Sequence, residues 1–597
     1  MLKRFFLNTL SSFVGTWIAI ILSGLCVVVF FFAIVGKMAL SDGKTEQITK
    51  GSILKLQLDG EIVETDNPGQ PDLTQLVRGD LEMPQTLDCI VNALRDGAEN
   101  KNIEALYIEC GALVASPATL DAIRHAVVEF KKSGKKVYAY GDAMTTGSYF
   151  LASVADRVYL NPSGMLEMNG MNSVSLYMKD LFDKFGIEFQ VVKVGTFKSA
   201  VEPYIMNEMS GPARAQLDTL YTNMWGYIRE QIASSRKDKG VTPALIDTLI
   251  NQRSISFAST KTAMEAGLVD SLIYGREINS RLALLVGKEA DELNFVSPQT
   301  LCGEAVWESD YNSDKQIAVL YACGEIIDGS KEGIDYQTLV PIIVKLADDE
   351  NVKGLVLRVN SPGGSAFGSD QIGEALDYFQ KKGKPLAVSM GDYAASGGYW
   401  ISCGANRIFA DPLTITGSIG IFGLIPNVSG LTQKIGVNPQ FVGTNPQAMF
   451  PTLLKPMDER QVAVLQQYVD RGYKDFTTRV AKGRKMKIEK VLQIAEGRVW
   501  DAFKAKEIGL VDQLGYLQDA ITWTAKQCKI DGDYDLSLYP EPMPNFWSLL
   551  QRSNGRMQSM ALKIVKPSLE EITIEYVRGV LTRNKVQARM PMISVTL

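Results

Sequence analysis

Ser396 lies in GDYAASGGYW, after an apolar run and before an amphipathic one, so it falls where a strand gives way to a helix. At such a junction the first N–H groups of the helix lack partners, and the helix dipole favours developing negative charge. Upstream, LVLRV runs into NSPGGSAFGSD, a turn whose Gly363 and Gly364 let a ligand approach main-chain N–H groups closely. The N–H of Gly397, with one from Gly363 or Gly364, would make an oxyanion hole for acyl transfer to a serine. The plainer reading of Ser396 is a helix cap or turn serine. A nucleotide loop is the poorer reading of the turn, because the Walker pattern requires a lysine that is missing here.

A serine hydroxyl is a weak nucleophile and needs a base. The 597 residues include one histidine, His125, so any Ser-His-Asp triad, Cys-His pair or multi-histidine metal site would have to run through it. His125 falls on a helix, opposite Glu374 in an internal repeat, and is not expected to take part. The seven Cys contain no C-x-x-C pair, and neither a metal nor a cofactor is expected. With 62 basic and 67 acidic residues the net charge is −5, which gives no reason to expect nucleic acid. An apolar share of 46% and a charged share of 22% are globular values.

The base emerges from the repeat. IEALYIE near Ile103 and VKGLVLRV near Val352 open two related stretches. Phe130 matches Phe379 and Gly134 matches Gly383, both at an offset of 249. Asp142 then matches Asp392, and Tyr149 matches Tyr399, at 250. KFGIEFQVVKVGT echoes KIGVNPQFVGT, and AMEAGLVDSL echoes AKEIGLVDQL. The copies differ where chemistry would sit. The first has Thr146 in place of Ser396, and CGALVAS in place of the SPGG turn. It also carries VGTFKSAVEPY with Lys198, whereas its echo VGTNPQAMFPT has Pro446 there. Each copy lacks what the other keeps, so one site assembled from both is expected. The plainer reading of Lys198 is a solvated lysine.

Each copy must be α/β. Residues 355–359 and 385–390 are short apolar runs of the buried-strand kind, and 370–380 has Ile372, Leu376 and Phe379 at helical spacing. Alternation of this sort implies βαβ turns with parallel pairing. Residues 213–232 and 457–480 read as longer amphipathic helices outside that core.

FKSAVEPY around Lys198, NSPGG at 360–364, YAASGGYW around Ser396 and TGSIGIFG at 416–423 together resemble the signal peptide peptidase A family in its long bacterial form. These are Ser-Lys dyad peptidases related in fold to Clp proteases and crotonases. The resemblance covers roughly residues 50–540. It implies Ser396 as nucleophile, Lys198 as general base and Ser418 as a hydroxyl that orients the lysine. It also implies a homotetramer and, as substrates, remnant signal peptides and other apolar peptides cut in extended form. In a ring of alternating units only one kind of contact can join Lys198 to Ser396, and the contact within a chain is the one expected.

Residues 13–36 carry no charge. Twenty-four residues at 1.5 Å each span about 36 Å, against roughly 30 Å of hydrocarbon. The run is too long for a signal peptide core and ends in bulky FFFAIV, so an uncleaved anchor is expected. Lys3 and Arg4 place the tail in the cytoplasm and the catalytic region on the exported, periplasmic side of the bacterial inner membrane. The expected organisation is a tail at 1–12, a single-pass anchor at 13–36 and a linker at 37–50. Two tandem Clp/crotonase-like βαβ-repeat domains follow at 51–300 (with the lysine) and 301–545 (with the serine), then an extension of undefined role at 546–597. Two other functions fit parts of this pattern: a crotonase-like acyl-CoA enzyme, and a non-catalytic, membrane-anchored peptide-binding scaffold.

Overall fold

The strand Val352–Ser361 is buried along almost its whole length, and Leu355, Val356, Leu357 and Val359 have no exposed surface. A strand covered on both faces is what a parallel sheet between helices requires, and each such side chain contributes about 1.5–3 kcal/mol by leaving water. A computed structural model describes residues 47–64, 85–256, 259–305, 313–329, 333–445, 447–540 and 586–590. In the second half six strands lie in the order Asp535–Tyr539, Gln316–Cys323, Val352–Ser361, Leu386–Ala395, Arg407–Ala410, Gln513–Leu514, all parallel; Ile415–Gly417 also joins Leu386–Ala395 in parallel and carries Val499–Asp501 antiparallel on its outer edge. In the first half Asn294–Val296, Ser52–Val63, Ile103–Val114, Lys136–Met144, Arg157–Leu166 and Ser271–Leu272 repeat that order, again all parallel. The sequence repeat is therefore a repeat of topology.

Helices supply the crossovers. Ala366–Lys381 is capped by Ser365, whose hydroxyl accepts the Gly368 N–H, and it buries Ile372, Leu376 and Phe379 against the sheet. Gly383, at φ +81°, reverses the chain into Leu386–Ala395. Pro117–Lys132 does the same work in the first half. The two long helices expected from the pattern are Gly211–Ser235 and Glu459–Gly483.

A third sheet joins the two halves. It runs Gly363–Ser365, Val586–Arg589, Ile421–Asn427, Glu188–Val194, with every neighbour antiparallel. Glu188–Val194 belongs to the first half and Ile421–Asn427 to the second, so the halves share a sheet. Its echo at 438–444 forms no strand, and the sequence likeness there is not a structural one. The extension assigned no role also enters this sheet, through Val586–Arg589. The expected anchor at 13–36 and Pro446 lie outside the described residues. Among the described residues no helix is long and apolar enough to cross a membrane.

Candidate active site

Lys198 is delivered across the boundary by the shared sheet. Glu188–Val194 pairs with Ile421–Asn427 in unbroken register from Val194↔Ile421 to Glu188↔Asn427. The chain beyond Val194 must therefore run over the second half. There the Phe197 N–H donates to the Glu496 carbonyl at 2.9 Å, and the Thr196 N–H to Glu496 Oε2 at 3.0 Å. Gly195 permits this docking: at φ +109°, a Cβ would come within 2.5 Å of the Glu496 backbone.

Ser396 follows Leu386–Ala395 and stands at the start of the helix Gly397–Ser402, as the sequence predicts, with no capping bond from its side chain. Its backbone is at φ +55°, ψ −113°, which a serine rarely adopts; its N–H donates to the Gly417 carbonyl at 2.8 Å. Ser418, at φ +51°, donates its N–H to Arg498 O at 2.7 Å. Such backbones cost about 1–3 kcal/mol each and persist only where the surroundings over-determine them. Here they aim two hydroxyls at one point. Lys198 Nζ lies 2.7 Å from Ser396 Oγ, 3.0 Å from Ser418 Oγ and 3.0 Å from the Ser418 carbonyl.

All three side chains are fully buried. Burial pushes the Lys198 ammonium well below its ordinary value of 10.5. No carboxylate opposes that shift, since desolvation is its sole cause. A neutral amine is the form that can take a proton from a hydroxyl.

The glycine turn lies beside the serine. A Cβ on Gly363 would fall 2.7 Å from the Gly397 nitrogen, and one on Gly364 would fall 2.1 Å from Ile326 O. Neither position admits a side chain. The Gly363 N–H is engaged by Ser361 Oγ at 3.1 Å. The Ile326 N–H takes the Gly363 carbonyl, and Ile326 O takes the Ser365 N–H. By strand alternation the N–H and C=O of Gly364 face the other edge, where Val586–Arg589 pairs with this strand. Gly363, Gly364 and Gly397, the residues expected to form an oxyanion hole, thus lie together beside Ser396.

Reading the sequence missed the clasp behind these loops. Asn360 Nδ2 donates to Asp392 Oδ2 at 2.8 Å, and Asn360 Oδ1 accepts the Tyr393 N–H at 3.1 Å. Thr119, from the first half, adds its N–H at 3.0 Å and its hydroxyl at 3.1 Å to the same Asp392 carboxylate. Burial, then the nearby Glu64 charge, raises the Asp392 pKa. Asn360 stood inside the NSPGG motif, but nothing in its spacing named Asp392 as its partner. In the first half Thr146 is helical, at the start of Thr146–Ala152, and has no glycine turn beside it because CGALVAS continues the strand to Val114. His125 stacks on Tyr516 at 4.0 Å, on a helix away from the dyad.

A buried serine hydroxyl, a lysine amine that burial drives toward its neutral form, and loop glycines beside them are parts that a serine hydrolase without histidine would use. The profile of peptidase family S49 matches residues 129–289 and 378–531, and the chain belongs to that family. It is 34% identical to "Protease 4" of Haemophilus influenzae, over 82% of each chain. It is 33% identical to "Protease 4" of Salmonella typhi, over 89% of this chain and 87% of that one. "Serine protease SPPA, chloroplastic" of Arabidopsis thaliana is 27% identical over 91% of this chain and 78% of its own. Among solved structures, ClpP1 from Listeria monocytogenes aligns with 34% of this chain and 92% of its own, at 14% identity and a TM-score of 0.22. The protein is a serine endopeptidase.

Proposed function

We propose that Ser396 is the nucleophile, Lys198 the general base and Ser418 the hydroxyl that holds the lysine in place. The observation carrying this reading is the 2.7 Å approach of Lys198 Nζ to Ser396 Oγ in a site closed to water. During attack the Ser396 proton passes to Lys198 Nζ, which returns it to the leaving amine, and water then hydrolyses the acyl-enzyme. The N–H groups of Gly364 and Gly397 receive the oxyanion.

The natural substrates in this reading are remnant signal peptides, taken in extended form. The uncharged run at 13–36 supports a single-pass anchor in the bacterial inner membrane, with the catalytic region on the exported side. A homotetramer is part of the same reading. The test is proteolysis of a synthetic signal peptide in detergent by wild type, Ser396→Ala and Lys198→Ala, with a serine-reactive probe. Cleavage and labelling by wild type alone carry the reading. Undiminished cleavage by either variant defeats it.

A further inference from the structure

The helices Gly275–Val286 and Leu517–Cys528 are one element seen twice. Both run twelve residues, both follow a capping tyrosine (Tyr274 or Tyr516), and their positions correspond at an offset of 242. Each packs on one face of its parallel sheet. The strand pairs beneath correspond as well. Tyr159↔Ser271 in the first half is Phe409↔Gln513 in the second, and Tyr138↔Arg157 is Ala387↔Arg407.

The copies differ in what closes the space between helix and sheet. In the second half the half-buried Trp523 packs against the apolar cluster that holds Ala387 and Phe409. The Arg407 guanidinium is tied down there by Gln513 Oε1 at 3.1 Å. In the first half Arg281 stands at the place of Trp523, and Ser271 at the place of Gln513. The Ser271 hydroxyl turns back to donate to the Asp270 carbonyl at 2.7 Å and leaves Arg157 untied. A cavity of about 530 Å³ opens as a result. Tyr138, Arg157, Tyr159 and Ser271 line it from the sheet, and Arg281 and Leu285 from the helix. Small-molecule sites occupy roughly 300–1,000 Å³, so the space is of ligand size.

Its charge is positive. Arg157 approaches Asp270 only to 3.6 Å, and that carboxylate is already held by Arg236 at 2.9 Å and Lys239 at 2.8 Å. Among the described residues Arg281 pairs with no carboxylate. The two guanidinium groups converge near the Tyr159 hydroxyl: burial and then Tyr138 raise its pKa, while Arg281 and Arg157 hold it down. That phenol keeps its proton at neutral pH and can donate. The Tyr138 and Tyr159 rings stand edge to face, centroids 5.8 Å apart, as aromatic groups prefer.

We propose that this cavity binds a small aromatic carboxylate. The ring takes the place that the Trp523 indole fills in the second half, against Leu285 and the tyrosines. The carboxylate lies on Arg157 and Arg281, whose planar forks match two oxygens, with the Tyr159 hydroxyl as a further donor. A cation would meet two like charges there, and a neutral ring would leave both guanidinium groups without a partner. None of the lining residues belongs to the dyad or its glycine turn, so this is a second site, independent of the assignment of Ser396 and Lys198.

Calorimetric titration of the full-length protein with indole-3-propionate tests the proposal. At about 0.3 kcal/mol per heavy atom, wild type should bind one equivalent with a Kd of about 1 mM or tighter. Propionate alone and 3-methylindole alone should each bind at least tenfold more weakly. Arg281→Trp rebuilds the second-half closure and should abolish binding while circular dichroism and the thermal melt stay those of wild type. Arg157→Gln should weaken binding about tenfold and keeps the test open if the tryptophan variant misfolds. Arg407→Gln, the matching change in the second half, should bind as wild type does. Absence of binding to wild type overturns the proposal, as does undiminished binding to Arg281→Trp or Arg157→Gln. Equal affinity for 3-methylindole would reduce the cavity to an apolar cleft, and equal affinity for propionate to a site for any anion; either result also overturns it.

Discussion

Gly497 lies against the backbone of Lys198: a Cβ built on it would come within 2.7 Å of Lys198 Cβ and 2.8 Å of Lys198 N. The lysine loop of one half is thus seated on a glycine of the other, at φ +72°. Gly497→Ala should push Lys198 away from Ser396 and lower kcat by about a hundredfold, because misplacement by an ångström costs that much. Circular dichroism should show the fold retained. A variant with full activity would mean that the loop tolerates displacement.

Lys198 also makes stability depend on pH. The unfolded lysine keeps its proton up to about pH 10.5, whereas burial makes the folded one release it well below that. Between those values the unfolded chain binds the extra proton, so stability rises with pH through the window. Lys198→Met should abolish that slope and raise the neutral-pH Tm by a few degrees, although it is inactive. Thermal melts from pH 6 to 10 measure this, and an unchanged slope would place the titration elsewhere.

Activity should climb with pH as Lys198 becomes neutral. Lys198→Arg should be as inactive as Lys198→Ala, since a guanidinium does not deprotonate at working pH. Ser418→Ala should retain a residual rate, about ten- to a hundredfold lower, because it removes one of the contacts at 3.0 Å and leaves the one to Ser396. Stopped assays across pH distinguish these outcomes. Substantial cleavage by the arginine variant would make the lysine an electrostatic or structural group.

Lys198 and Ser396 of the same chain meet, so each chain completes its own site. Mixing Ser396→Ala and Lys198→Ala subunits before assembly should leave activity at background. Recovery near a quarter of wild type would require the dyad to form between chains.

The meeting of Lys198 and Ser396 was legible because the halves had degenerated in complementary ways: Thr146 against Ser396 and Pro446 against Lys198 mark which half kept what. The parallel sheets were legible from buried apolar runs. The shared sheet was not, because strand partners are chosen by tertiary contact, and Glu188–Val194 and its echo at 438–444 read alike while only one is a strand. The positive φ of Ser396 and Ser418 left no mark either, since serine carries no preference for it. Asp392 had matched Asp142 as an ordinary repeat position. Its buried bonds to Thr119 and Asn360 arise only once the halves meet. Val586–Arg589 is four residues of mixed polarity, too short to carry a period.

The lysine loop is held by Glu496, 300 residues further along the chain. At roughly 5–20 residues per second, synthesis needs about 15–60 s to cover that distance. Throughout that interval Lys198 exists without the surface that seats it and, for most of it, without Ser396. The nascent enzyme should therefore carry no working protease while its own unfolded segments are exposed beside the ribosome. Prematurely terminated chains that end before Glu496 should be inert for the same reason. With Lys198 and Ser396 in different halves, the proposed chemistry cannot begin until the polypeptide is nearly complete.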